Sequence, residues 1–216
     1  MAGQLSAELT SQLLEAGLLI TVDSLESRRQ EGDALVDKTR PLFEQRRYCE
    51  LPSLIHKAHV AALGRYYREL IDLGNWAAGD EQVRQRHGQH NETMSRYFHH
   101  QLADFVSRVA GEPVKPAYAY VSAYREGAIL KPHVDRKQCV FTLSLWIDEG
   151  SERSTEAWPL WFETHNGKVA ITQKPGDAVL FRGCELPHWR DRPLPGSVST
   201  TLLFHYVPRD FVGILD

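Results

Sequence analysis

The apolar residues of this chain change their period at Pro116, and that change constrains the fold more than any other feature. Ahead of it the spacing is helical. Residues 6–18 place Leu9, Leu13, Leu14 and Leu18 at i, i+4, i+5 and i+9. Residues 53–73 repeat the pattern, which predicts a second helix with Ser53 as its N-cap after Pro52. Residues 92–110 predict a third, capped by Asn91 or Thr93 and stopped by Gly111, with Pro113 beyond. The charged segment 22–50 reads as partly helical, and 74–90 as a loop or short helix. After Pro116 the grammar is that of strands. "AYAYVSAY", "CVFTLSLWID", "PLWFETH", "KVAITQ", "AVLFRG" and "STTLLFHYV" are short runs of strand formers, separated by turn clusters such as "HNGK", "KPGD" and "RPLPGS".

Helices followed by about seven short strands predict an α+β chain, mainly β with a helical buttress. The strands form an antiparallel double sheet or jelly roll, preceded by the N-terminal helices. A length of 216 residues suits one domain, with 1–112 as mostly helical support and 113–210 as the β core. No linker, repeat or low-complexity segment argues otherwise. A net charge of −3 with both signs scattered argues against a nucleic-acid partner. No apolar run approaches a membrane span, and "MAGQLSAELT" has no signal-peptide pattern. Cys49, Cys139 and Cys184 are odd in number and lack CxxC spacing, so a reducing, cytoplasmic setting is expected.

The chemistry concentrates in "KPHVDRK", residues 131–137. In an extended segment alternate residues share a face, so His133 and Asp135 point into one space and Val134 points away. His188 follows 53 residues after Asp135, beside another strand-like run. In a rolled double sheet an early strand and a late one lie side by side. Two neutral imidazoles and a carboxylate make the facial triad of non-haem Fe(II) oxygenases. Zinc accepts the same donors, so the triad alone does not select the metal.

Tyr124-x-x-Gly127, His133-x-Asp135, the "GDAVLF" strand and His188, in that order, resemble the Fe(II)- and 2-oxoglutarate-dependent dioxygenases, in particular their prolyl-hydroxylase-like branch. The resemblance covers residues 116–208. It implies a double-stranded β-helix (cupin-like) core with His133, Asp135 and His188 as iron ligands. It also implies 2-oxoglutarate bound to the metal, dioxygen as co-reactant, and decarboxylation to succinate and CO2. The coupled reaction is hydroxylation of a C–H bond in a small molecule, an amino acid or a peptide-like substrate, and a prolyl-type protein hydroxylase is the nearest variant.

One departure stands out. That branch carries a cation for the distal carboxylate of 2-oxoglutarate on the last core strand, where this chain has Ser197, Val198 and Ser199. Arg190, two past His188 and on the same face, is the first substitute, and Arg182 the second. Tyr124 and Ser199 would add hydrogen bonds. Arg125 and Arg136 fall one residue off the inward register. The missing cation also favours a different class, a non-catalytic cupin-like metal- or ligand-binding protein.

Three other features invite a role. The segment 86–100 holds His87, His90, His99 and His100 and reads as a solvated helix start, or as a loop over the mouth of the barrel. The polar turn 148–159 is long enough to serve as a lid. Trp189 is expected to face away from the metal, His205 to line the pocket or hydrogen-bond in the core, and Asp177 to hold a turn.

Overall fold

The computed structural model describes residues 5–15, 19, 21–74, 76–149, 158–193 and 195–215. Most of the proposed lid, residues 150–157, lies outside the described residues. Among the described residues eleven strands form two antiparallel sheets. The larger runs β1 (Tyr48–Leu51), β9 (Ala178–Phe181), β6 (Phe141–Glu149), β11 (Ser199–Pro208), β4 (Val114–Tyr124), β3 (Arg86–His90) and β2 (Ala77–Ala78). The smaller runs β5 (Leu130–His133), β10 (His188–Arg190), β7 (Leu160–Thr164) and β8 (Gly167–Ile171). This is a double-stranded β-helix with helices added on one side, the α+β architecture expected.

Period-two alternation assigns the two faces of the large sheet. Ala119, Val121 and Ala123 of β4, Phe141, Leu143 and Leu145 of β6, and Leu202, Phe204 and Tyr206 of β11 pack in one buried cluster with residues of the helices. The helices are α2 (Val22–Arg46), which contributes Val36 and Phe43, α3 (Lys57–Asp72), which contributes Leu63, Tyr67 and Ile71, and α5 (Ala103–Ala110), which contributes Val106 and Val109. Each Val, Leu, Ile or Phe side chain among them that is taken out of water adds about 1.5–3 kcal/mol. The residues between them, Tyr118, Tyr120 and Tyr124, Thr142 and Ser144, and Thr201, Leu203 and His205, line a cavity between the two sheets. The buttress holds the cavity wall by its back.

Local details depart from the sequence reading. The first helix is short, α1 (Ala7–Glu15). Ser53 does not cap α3: it sits at φ 51° in the turn after β1, and His56 caps the helix through Nδ1. The expected third helix is two, α4 (Thr93–Gln101) and α5, with Leu102 between them. Its cap is Glu92, whose carboxylate accepts from Met94 and Ser95 N–H and from the Tyr66 and Tyr67 hydroxyls. Asn91 instead accepts from the Ala119 N–H of β4. The segment 74–90, expected as a loop or short helix, is a loop over 79–85 flanked by the short hairpin strands β2 and β3, which extend the large sheet beyond β4. Pro116 lies inside β4, where the pairing with β11 slips between His205 and Tyr206, and a strand tolerates proline at such a bulge.

Candidate metal centre

His133 and His188 are cross-strand partners in the small sheet. Non-consecutive strands β5 and β10 pair directly, and this brings two residues 55 apart in sequence to ring centroids 4.3 Å apart. Asp135 lies just past the end of β5, where its N–H donates to the Gly183 carbonyl after β9. That bond, rather than strand alternation, returns its carboxylate to the histidines. Asp135 Oδ1 stands 3.6 Å from Nε2 of His133 and 3.6 Å from Nε2 of His188.

The histidine tautomers follow from geometry. Nδ1 of His133 lies 2.9 Å from the Lys131 carbonyl and Nδ1 of His188 3.0 Å from the Leu186 carbonyl. A carbonyl only accepts, so each Nδ1 carries the proton and each Nε2 presents a lone pair to the space beside Asp135. Burial among Phe181 and Phe162 lowers the basicity of His188, against the opposing charge of Asp135. Burial alone would raise the Asp135 pKa. The His133 ring beside it, the nearby His188 and His205 rings and the Thr142 hydroxyl outweigh that and hold it well below the usual carboxylate range. Two neutral imidazoles and one ionised carboxylate are the protonation states a divalent metal requires. The donor set fits such an ion, and the three donor atoms lie within 4.8 Å of one another.

Asp135, Cys139 and His205 form a second close group. Its chemistry is different. Burial pushes the Cys139 thiol up to about 12, and Nδ1 of His205 is occupied by the Thr142 hydroxyl at 3.0 Å. This group is a buried hydrogen-bonded cluster.

The cavity in front of the triad has a volume of about 630 Å³, within the roughly 300–1,000 Å³ usual for small-molecule sites. Arg190 lines it from β10 and is buried. Its guanidinium donates to the Trp158 carbonyl at 2.6 Å and to Gln173 Oε1 at 3.2 Å, and lies over the Trp158 ring. Both acceptors are neutral, and no carboxylate pairs with it among the described residues. Burial brings its pKa down to about 10, with Tyr124 nearby as the opposing influence. Tyr124 lines the same cavity.

The other two candidates for the cosubstrate do not reach it. Arg182 is turned away from the cavity: it pairs with Glu112 at 3.3 Å and Glu185 at 3.5 Å and lies over Phe141 on the helix side. The residue follows β9, and its side chain falls on the buttress face. Ser199 is buried opposite Tyr124 at the start of β11 and is not among the lining residues. Two further arginines, Arg136, which falls off the inward register in the sequence, and Arg86, do line the cavity. Arg136 donates to the Tyr118 hydroxyl at 2.9 Å, because alternation ends with β5 and no longer governs it. Arg86 sits on β3, is buried, and pairs with Asp80 at 2.6 Å while its Nη1 reaches the Tyr124 hydroxyl at 3.4 Å. Through Asp80 it ties down the hairpin tip that walls the cavity with Gly79, Glu81 and Gln82. The four-histidine segment splits: His90 lines the cavity, whereas His99 is buried on α4 and bonds the His205 carbonyl at 2.9 Å. Trp189 stacks on Trp161, away from the cavity, and Asp177 accepts from the Lys174 and Ser53 N–H groups.

No family model matches this sequence, and no curated protein matches it. Solved structures do match its fold. A prolyl-4-hydroxylase from Pseudomonas putida aligns over 82% of this chain and 99% of its own, at 15% identity and a TM-score of 0.65. The carbocyclase SnoK from nogalamycin biosynthesis, described as non-haem and α-ketoglutarate-dependent, aligns over 83% and 86% at 13% identity and a TM-score of 0.69. HygX from Streptomyces hygroscopicus, solved with nickel and 2-oxoglutarate, aligns over 81% and 88% at 11% identity and a TM-score of 0.63. The chain therefore has the double-stranded β-helix fold of the Fe(II)/2-oxoglutarate-dependent oxygenases.

Proposed function

We propose that this chain is an Fe(II)/2-oxoglutarate-dependent oxygenase that hydroxylates a C–H bond of a small-molecule or peptide-like substrate. One observation carries the reading. Two imidazole Nε2 atoms stand 3.6 Å from a single oxygen of Asp135, in the cavity where a buried arginine has no carboxylate partner among the described residues. A neighbour of the same fold is solved with a metal and 2-oxoglutarate.

In this reading His133, Asp135 and His188 hold the iron on one face and leave the cavity side open. With 2-oxoglutarate and dioxygen, the bound iron supplies oxidising power for attack on the substrate C–H bond. Arg190 pairs with the distal carboxylate, taking the place of a cation on the last strand. On an extended strand it lies roughly 7 Å from His188, on the same side. Gln173 holds the guanidinium in place, since its amide nitrogen is anchored on the Ser144 and Asp177 carbonyls and only its oxygen is left to accept. Phe181 and Phe162 shield His188 from water. Tyr118, Tyr120, His90 and the tip of the β2–β3 hairpin line the space left for substrate. Among the described residues no helix is long and apolar enough to cross a membrane.

The test is an anaerobic titration of the Fe(II)-loaded protein with 2-oxoglutarate. A metal-to-ligand charge-transfer band in the visible, absent from His133→Ala, is the expected result. Bound iron with no such band would leave a metal-binding protein of the same fold and overturn the reading.

A further inference from the structure

The carboxylate of Asp135 has two oxygens, and the structure uses them differently. Oδ1 faces both histidines. Oδ2 accepts a hydrogen bond from the Thr142 hydroxyl at 2.7 Å. The same hydroxyl oxygen lies 3.0 Å from Nδ1 of His205. A threonine has one hydroxyl hydrogen, and an ionised carboxylate can only accept. The hydrogen therefore points to Asp135, and the Thr142 oxygen accepts from His205 Nδ1–H. The direction of the whole chain follows, from His205 through Thr142 to Asp135. The groups are held in place: Thr142 is 1% and His205 4% exposed, the Tyr118 ring packs at a tilt against His205 with centroids 4.4 Å apart, and β6 and β11 pair Thr142 with His205 across the ladder. Gly183 closes the arrangement, because an added Cβ would stand 2.6 Å from Thr142 Oγ1 and press on Asp135 Oδ2.

We propose that Thr142 and His205 are positioning residues that hold Asp135 so that it offers one oxygen, Oδ1, to a metal. The inference rests on the reading of His133, Asp135 and His188 as a metal site. Thr142 occupies Oδ2 and prevents the carboxylate from swinging to bind through both oxygens. His205 fills the acceptor side of the Thr142 hydroxyl and so stops it from rotating away. The cost of losing such a contact to a metal ligand is typically about 10–100-fold in metal affinity.

The experiment is calorimetric titration of the purified full chain with Co(II), together with the visible Co(II) spectrum, in the wild type and variants. Thr142→Val, close in shape but without the donor, is expected to weaken Co(II) binding by about 10–100-fold and to change the spectrum. Thr142→Ser restores both. His205→Leu, a second variant in case the first does not fold, weakens binding in the same direction, and His205→Asn recovers it by supplying an amide N–H. Wild-type Co(II) affinity and spectrum in folded Thr142→Val or His205→Leu would overturn the proposal while leaving the metal site intact. A wild type that binds Co(II) no better than His133→Ala would overturn both.

Discussion

Gly183 leaves no room for a side chain against Asp135. A methyl group at that Cα would overlap Oδ2 of the carboxylate and approach the Cys139 carbonyl to 2.5 Å. The backbone of Gly183 is not in the left-handed region, so alanine is excluded by space alone. Gly183→Ala is therefore expected to destabilise the metal-free protein by about 1–3 kcal/mol through overpacking, and to weaken divalent-metal binding by displacing Asp135. Urea unfolding and Co(II) titration on the same preparation check both. An unchanged unfolding midpoint with unchanged Co(II) affinity would mean that the packing around Asp135 is looser than described.

Arg190 pays a burial cost on the order of 3 kcal/mol, the free-energy equivalent of a guanidinium brought down to about 10. A bound carboxylate recovers it. Arg190→Met is expected to leave metal affinity alone and to weaken 2-oxoglutarate binding by about 2–5 kcal/mol, at least about 30-fold. The metal-free variant should stay within about 1 kcal/mol of wild type, because an apolar side chain replaces a buried charge without a carboxylate partner. Thermal shift with 2-oxoglutarate and Mn(II) separates the two effects: the ligand stabilises the wild type and not the variant. Equal stabilisation of both would assign the distal carboxylate elsewhere.

His99 gives the metal-free protein an acid sensitivity. Burial, assisted by the nearby His205, His100 and Arg96, pushes its pKa down to about 3, although its bond to the His205 carbonyl opposes this. The unfolded chain takes up that proton near 6.5, so between these values the unfolded state binds more protons and stability falls as pH falls. His205, lowered to about 4 chiefly by burial, acts in the same direction. Together they predict a slope of up to about 2.7 kcal/mol per pH unit between pH 6 and 4. His99→Phe keeps the stacking on Phe204 and is expected to lower the slope by up to about 1.4 kcal/mol per pH unit. Unfolding free energies from urea titrations across that range decide it, and parallel wild-type and variant curves would refute it.

The Asp80–Arg86 pair should be asymmetric. Arg86 is 7% exposed and Asp80 33%. Asp80→Asn strands a buried guanidinium and is expected to cost about 2 kcal/mol, less than for a fully buried pair because Asp80 meets solvent. The double variant Asp80→Asn with Arg86→Met should recover part of that loss. Faster proteolysis at the β2–β3 hairpin in Asp80→Asn alone would show the tether releasing the cavity wall. Equal cleavage of all forms would show that the hairpin does not depend on it.

Some of this was readable one residue at a time. The alternation in "CVFTLSLWID" and "STTLLFHYV" assigned strands, because a pleated backbone reverses its side chains at every step whatever lies beside it. His133, Asp135 and His188 were picked out by donor type and order. The hairpin at 77–90 is not legible in the sequence, because "AAGDEQVRQRHGQH" is polar and has no alternation. It is a strand pair because β4 offers it a hydrogen-bonding edge. Strand register favours Arg182 over Arg136, but register holds only inside a strand: Asp135 and Arg136 follow β5, and Arg182 follows β9.

The sequence alone determined the parts that depend on local backbone geometry and donor chemistry: helices ahead of strands, two imidazoles and a carboxylate in the right order, and a last strand without its expected cation. Tertiary structure alone decided that Arg190 faces the cavity with no carboxylate partner among the described residues. It also decided that Thr142 and His205 stand behind Asp135, and that Gly183 must remain a glycine. The reason is physical. Side-chain alternation is set within a few residues, but burial, pairing and charge compensation depend on which distant strands the ladder brings into contact.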